Sequence, residues 1–307
     1  MRSTLTIGSR GSKLALTQTN QVADSIRLAN PGIEVTIQVI TTKGDVILDK
    51  PLAEIGGKGL FTEELENALH DGTIDLAVHS LKDLPTDNPD GLTIAASPPR
   101  VTPNDALVST KFASITDLPA GATVGTSSLR RKAQLLAINA NLDIVDIRGN
   151  IDTRMGKVTE SGELDAVILA CAGLERINRA DAITQVIPPE LMLPAASQGV
   201  LGIQIRRDDT ELMQALMIIH DPNTHAEATA ERTLLADLGG GCQVPIGALA
   251  KIENDQLSMN ACVCSLDGQE ILRTVVNGHM DDAIKLGQEA AQVLLEKGAI
   301  QIIAAIQ

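Results

Sequence analysis

Over its first two thirds the chain alternates short apolar runs with stretches whose apolar residues recur every three or four positions. The run ending at Ile7 opens onto Gly8-Ser9-Arg10-Gly11-Ser12 and an amphipathic stretch that begins Leu14-Ala15-Leu16. The run Thr123-Val124 opens onto Gly125-Thr126-Ser127-Ser128-Leu129-Arg130-Arg131 and a second such stretch over 133–138. Each pattern predicts a short strand feeding a helix through a Ser/Thr/Gly turn. Two more pairs repeat in the same order, 39–45 with 144–150 and 74–79 with 164–169. The spacing between copies shrinks from pair to pair, as it does when the first copy carries insertions. Chance likeness between βαβ units is the alternative. Three echoes in one order instead predict two similar α/β lobes on mostly parallel sheets.

The stretch Pro98-Pro99-Arg100-Val101-Thr102-Pro103 predicts a first crossing between lobes. Pro188-Pro189-Glu190-Leu191-Met192-Leu193-Pro194 predicts a second, returning the chain to the first lobe. After Asp221-Pro222 the pattern changes to a helix over 226–238, strands around 248, 259–264 and 271–276, and a helix over 281–295. That succession predicts a smaller C-terminal α+β domain. The expected division is lobe 1 at 1–98 and 199–219, lobe 2 at 104–192, and the C-terminal domain at 222–307. Two crossings predict a hinge, with a ligand cleft between lobes.

Charge narrows the partners. With 25 Lys and Arg against 39 Asp and Glu, the net charge of −14 argues against nucleic acid and anionic membranes. No apolar run reaches the ~18 residues of a membrane span, and the start lacks the apolar core of a signal peptide. Cys171, Cys242, Cys262 and Cys264 show neither C-x-x-C spacing nor a disulfide framework, which points to a reduced cytoplasm. Cys262 and Cys264, two apart, share one face of a strand and read as structural. The five histidines lack metal-binding spacing, so no metal is expected. With Phe61 and Phe112 the only aromatic residues besides histidine, the core must be aliphatic.

In so acidic a chain the cations are informative by position. Arg10, Arg130, Arg131, Arg148, Arg154 and Arg176 fall after predicted strands or on the first turns that follow, where open α/β sheets bind ligands. Residues 9–12 and 126–128 present backbone N–H groups at helix starts, and arginine forks pair with carboxylates. No G-x-x-x-x-G-K-[ST] motif is present, so a polycarboxylate is favoured over a nucleotide. Gly56-Gly57-Lys58-Gly59-Leu60-Phe61 reads as a glycine-rich lid or as the start of a helix over 62–69. Asp83, beside Lys82 after the strand 75–78, reads as a strand-end acid or a helix cap. Cys242, within Gly239-Gly240-Gly241-Cys242-Gln243-Val244-Pro245, reads as an open attachment point or as a small hydrophobe at a turn.

Six motifs together closely resemble the porphobilinogen deaminase family, over about residues 7–295. They are Gly56-Gly57-Lys58-Gly59-Leu60-Phe61, Ala77-Val78-His79-Ser80-Leu81-Lys82-Asp83, Gly125-Thr126-Ser127-Ser128-Leu129-Arg130-Arg131, Arg148-Gly149-Asn150, Gln198-Gly199 and Gly241-Cys242-Gln243-Val244-Pro245-Ile246-Gly247. The resemblance implies two lobes like type II periplasmic binding proteins plus a third domain. It implies a dipyrromethane cofactor held by a thioether that falls on Cys242. The implied reaction joins four porphobilinogen molecules head to tail with loss of ammonia, then hydrolyses the product off as hydroxymethylbilane.

By the same resemblance Asp83 is catalytic, steadying positive charge on a pyrrole nitrogen. Cofactor contacts fall on Lys82, Asp83, Thr126, Ser127, Ser128, Arg130, Arg131, Arg148 and Gly149. Substrate contacts fall on Arg10, Ser12, Lys58, Phe61, Arg148, Arg154 and Arg176. Glu54, Ser197 and Gly239 depart from the family pattern. The expected protein is a cytoplasmic monomer acting on porphobilinogen. A carboxylate receptor without catalysis would leave the third domain without a purpose. A cysteine acyltransferase would need a histidine base near Cys242, and His225, the nearest in sequence, lies on another predicted element.

Overall fold

The computed structural model describes residues 2–46, 60–239 and 244–306. The chain divides into two compact units, residues 1–100 with 200–225, and residues 101–199 with 226–307.

In the first unit, β1 (Thr4–Ser9), β2 (Glu34–Val39), β3 (Leu76–Ser80), β4 (Leu92–Ala96) and β10 (Leu201–Arg206) form one sheet in the order β2-β1-β3-β10-β4. The first three run parallel, and β10 runs antiparallel to both β3 and β4. Apolar residues on both faces explain why the central strands read as continuous runs rather than alternating ones. Leu5, Ile7 and Val78 pack with Val22 and Ile26 of α1 (Lys13–Ala29). Ile74 and Ala77 pack on Leu65 and Leu69 of α3 (Glu63–His70), the helix that follows the short α2 (Lys43–Val46).

The second unit repeats the plan. Its strands β5 (Asp105–Val108), β6 (Thr123–Gly125), β7 (Asp143–Val145), β8 (Ala166–Ala170) and β9 (Gln185–Val186) stand in the order β7-β6-β8-β5-β9. Here β6 matches β1, β7 matches β2, β8 matches β3, and the antiparallel β5 matches β10. The echo extends to single bonds. Asp75 Oδ2 accepts from the Thr6 N–H at 2.7 Å, and Asp165 Oδ2 from the Thr123 N–H at 2.9 Å. Ser12 caps α1, and Ser128 caps α4 (Leu129–Ile138), each through its hydroxyl.

The same unit contains the α+β domain, an antiparallel meander of β11 (Ile246–Glu253), β12 (Gln256–Cys264) and β13 (Ile271–His279). One face of the meander packs through Ala248, Met259 and Val276 on Leu286 and Ala290 of α9 (Ala283–Glu296). On the other, Leu249, Cys262 and Cys264 meet Leu193 and Ala133. Both thiols are buried, 3.8 Å apart, as their shared strand face predicts.

The chain re-enters the first unit later than its proline-rich stretch suggests, between Gly199 and Val200. Residues 188–194 are held in the second unit. Leu193 exchanges backbone bonds with the Gln134 amide (2.8 and 3.0 Å), and Pro194 O accepts from Ala248 N at 2.9 Å.

Candidate functional site

In the first unit the candidate residues gather where β1 and β3 end. Arg10 follows β1 and donates to Asp45 through Nε (3.2 Å) and Nη2 (2.5 Å), while its guanidinium lies 4.1 Å over the Phe61 ring. Burial pushes the Asp45 carboxyl up, but hydrogen bonds from Arg10 and Thr42 outweigh it and leave the group below the usual carboxylate range. Ser12 is committed to capping α1, accepting from Ala15 N at 3.2 Å.

At the end of β3 a single 3₁₀ turn, Leu81–Asp83, separates an apolar plug from two polar groups. Leu81 is buried and its N–H donates to Val200 O at 3.0 Å; Lys82 is half-buried, and Asp83 is exposed. Two residues before this turn, His79 is buried 3.0 Å from Gln204 Oε1. Burial lowers its pKa to about 4, so near neutrality it donates as a neutral imidazole.

The second unit collects the matching strand ends. Thr126 is buried after β6, with its N–H on Val145 O at 2.9 Å. Ser127 accepts from Ile147 N at 3.0 Å, and Ser128 caps α4. Gly149 has φ +104°, where a Cβ would press on Thr153, so this turn before α5 (Ile151–Thr159) requires glycine. Arg154 Nε closes the turn on Gly149 O at 2.9 Å, beside Arg148 in sequence.

Arg130 and Arg131, on the first turn of α4, are 4% and 7% exposed. Both are bound to Asp105, the wholly buried residue that opens β5, at 2.7 Å each. Burial acts to raise Asp105, yet the two guanidiniums hold it well below the usual range. Arg176, at the end of α6 (Cys171–Arg176), is 7% exposed and donates to Gly199 O at 2.8 Å; burial lowers it to about 10.

Thus the structure gathers Arg10 with Phe61, Lys82 with Asp83, Ser127 with Ile147 beside Arg148, and Arg130 with Arg131. Cys242, Lys58 and Glu54 lie outside the described residues. Sequence reasoning missed Asp105, and its only signal was an acid opening an apolar run. It also missed Glu231, wholly buried, which accepts from Ser197 N (2.5 Å) and Ala250 N (2.7 Å). Ser197 takes φ +60° there, and Gly239 takes φ +63° just after α8 (Pro222–Asp237). Glycine suits the second of these without strain; serine at the first is strained.

The donors present suit an anionic group. Two guanidiniums share one carboxylate, and a helix N-terminus lies beside hydroxyls, so positive charge is in excess where α4 starts. Among the described residues no cluster suited to a metal occurs, and no helix is long and apolar enough to cross a membrane.

The family model for the dipyrromethane cofactor-binding domain of porphobilinogen deaminase matches residues 5–214, and that for its C-terminal domain matches residues 225–296. A porphobilinogen deaminase of Maridesulfovibrio salexigens is 48% identical over 299 residues, covering 97% of each chain. One from Roseiflexus castenholzii is 46% identical over 304 residues, covering 99% of this chain and all of its own. One from Staphylococcus carnosus is 47% identical, covering 98% of both chains.

Proposed function

The chain belongs to the porphobilinogen deaminase family, and from that premise we propose that Cys242 carries its cofactor and Asp83 its central chemistry. The protein is a transferase of tetrapyrrole biosynthesis. It joins four porphobilinogen molecules head to tail with release of ammonia, and hydrolyses the product to hydroxymethylbilane. Its cofactor is dipyrromethane, which when bound supplies the free pyrrole carbon from which the chain grows.

One contrast carries the assignment of Asp83. Asp45 and Asp105 are each locked by arginine, whereas Asp83 is exposed on the 3₁₀ turn that ends β3. As ammonia leaves the substrate, positive charge gathers on the pyrrole nitrogen. A fixed carboxylate at that point lowers the barrier without having to reorganise.

The site residues divide by the group they hold. Lys82, Asp83, Thr126, Ser127, Ser128, Arg130, Arg131, Arg148 and Gly149 hold the cofactor's carboxylates and ring nitrogens. Arg10, Ser12, Lys58, Phe61, Arg148, Arg154 and Arg176 take those of the incoming substrate. The lobes and the C-terminal domain follow the division 1–98 with 199–219, 104–192 and 222–307. The protein works as a cytoplasmic monomer without nucleic acid or membrane, a reading its net charge of −14 supports.

Intact mass spectrometry tests the anchor. The purified chain should exceed its polypeptide mass by two linked pyrrole units, and Cys242→Ser should show the bare polypeptide. An adduct that survives Cys242→Ser would remove Cys242 from this role.

A further inference from the structure

We propose that Asp105 is the positioning residue of the second lobe's anion site, setting both Arg130 and Arg131 and leaving that pair one positive charge in excess for a ligand carboxylate. The proposal rests on the reading of these arginines as cofactor-holding residues.

The geometry is that of a hub. Asp105 is wholly buried. Its Oδ2 accepts from Arg130 Nη1 at 2.7 Å. Its Oδ1 accepts from Arg131 Nε (3.0 Å), Arg131 Nη2 (2.7 Å) and Gln198 Nε2 (2.9 Å). Each arginine is also pinned on its far side by a backbone oxygen. Arg130 Nη1 reaches Leu193 O at 2.7 Å, and Arg131 Nη1 reaches Ile168 O at 2.9 Å. Gln198 is fixed in turn on Pro103 O at 2.7 Å.

Arg131 therefore spends Nε, Nη1 and Nη2 on the protein. Arg130 spends Nη1 alone, and among the described residues its Nε and Nη2 donors have no partner. One carboxylate cannot neutralise two guanidiniums, so the buried cluster keeps a charge of +1. A positive charge at so little exposure is costly unless an anion joins it. Asp105 thus halves the charge that must be met and fixes the fork that meets it. A ligand carboxylate then finds donors already oriented, and little ordering is left to be done on binding.

A merely structural Asp105 makes a different prediction. It would lower the yield of folded chain but leave every folded molecule loaded. The test is the fraction of folded, purified chain that carries dipyrromethane by intact mass, with far-UV circular dichroism to confirm folding. Asp105→Asn should fold yet load at least about ten-fold less than the parent, and Arg131→Gln should do the same. Full loading of folded Asp105→Asn overturns the proposal. If Arg131→Gln is then unloaded, the reading of the arginines survives; if it too is fully loaded, that reading falls as well. Should Asp105→Asn yield no folded chain, Gln198→Met decides, since it removes one donor to Asp105 at similar volume. Partial loading of that variant supports the hub, and full loading overturns it.

Discussion

At the end of β3 the first lobe carries Lys82 and an exposed Asp83, and at the matching end of β8 the second lobe carries buried Ala172 and Gly173. The backbone around the two positions is the same. Leu81 N donates to Val200 O in one lobe, and Cys171 N to Asn104 O in the other, both at 3.0 Å. One step along the antiparallel neighbour the acids trade places. Leu201 pairs with Ser80 in the first lobe, and Asp105 pairs with Ala170 in the second. A duplicated scaffold has therefore kept its hydrogen-bond frame and exchanged its charges. One copy holds its acid out toward solvent, and the other sinks its acid beneath two arginines. On the proposed reading, the difference separates a residue free to meet substrate from one that organises cations.

The sharpest way to break that division is Asp83→Ala. Loss of a positioned acid or base costs about 10²–10⁴-fold in rate, so kcat should fall by that much while intact mass still shows the attached cofactor. A variant that turns over normally would remove Asp83 from the chemistry and leave the two lobes equivalent in this respect.

Burial sets the next effect. Asp105→Asn removes the carboxylate that two buried guanidiniums share and should cost about 3–5 kcal/mol. Asp45→Asn breaks a pair whose side chains are about a quarter exposed, and should cost under ~1 kcal/mol. Urea unfolding of the two variants measures both. Equal losses would show that burial is not what distinguishes these arginine–aspartate contacts.

Acid should reach the two lobes at different pH. Buried His79 titrates near 4 when folded and near 6.5 when unfolded, so the unfolded chain binds more protons between those values. Its contribution is complete above pH 6.5 and is lost as pH falls toward 4, a change of roughly 3 kcal/mol at 1.36 kcal/mol per unit. His220 and His225 shift in the same direction, while Glu66, raised by burial, works the other way. In the second lobe Asp105 is depressed, so its contribution is present above the unfolded value near 4 and is lost only below it. Hydrogen exchange at pH 7 and pH 5, corrected for intrinsic rate, should show β1 and β3 losing protection while β6 and β8 keep theirs. His79→Gln should remove most of that difference.

These contrasts were unevenly legible in the sequence. Strand-to-helix alternation, the two lobes and the C-terminal meander are local patterns, and the echoes at Asp75 and Asp165 follow from them. Cys262 and Cys264 share a face because strand periodicity is fixed at two. The arginine positions could be read as well, since their motifs sit at helix starts. Their partners could not. Asp105 lies 25 residues before Arg130, and nothing local marks it as the acid that will be buried there. The proline-rich stretch 188–194 signals a crossing, but Gln134 and Ala248 hold it within the second unit. Only three-dimensional hydrogen bonding decides that.

The smallest test asks whether the duplicated frame is energetically as well as geometrically matched. Asp75 and Asp165 each accept a strand N–H, at 2.7 and 2.9 Å, and each returns its own N–H to the same threonine's carbonyl, at 2.8 and 3.0 Å. Their charged neighbours differ. Asp75 meets Arg2 at 2.9 Å and Arg206 at 3.5 Å, while Asp165 meets Lys111 at 2.7 Å. Partly exposed pairs of this kind contribute about 0–1 kcal/mol, whereas an N–H left without its acceptor costs about 1–3 kcal/mol. If the shared bond dominates, Asp75→Ala and Asp165→Ala should each lose about 1–2 kcal/mol in urea, within error of one another. A much larger loss at Asp75 would assign the stability to Arg2 and Arg206 instead, and the two lobes would then match in shape but not in what holds them.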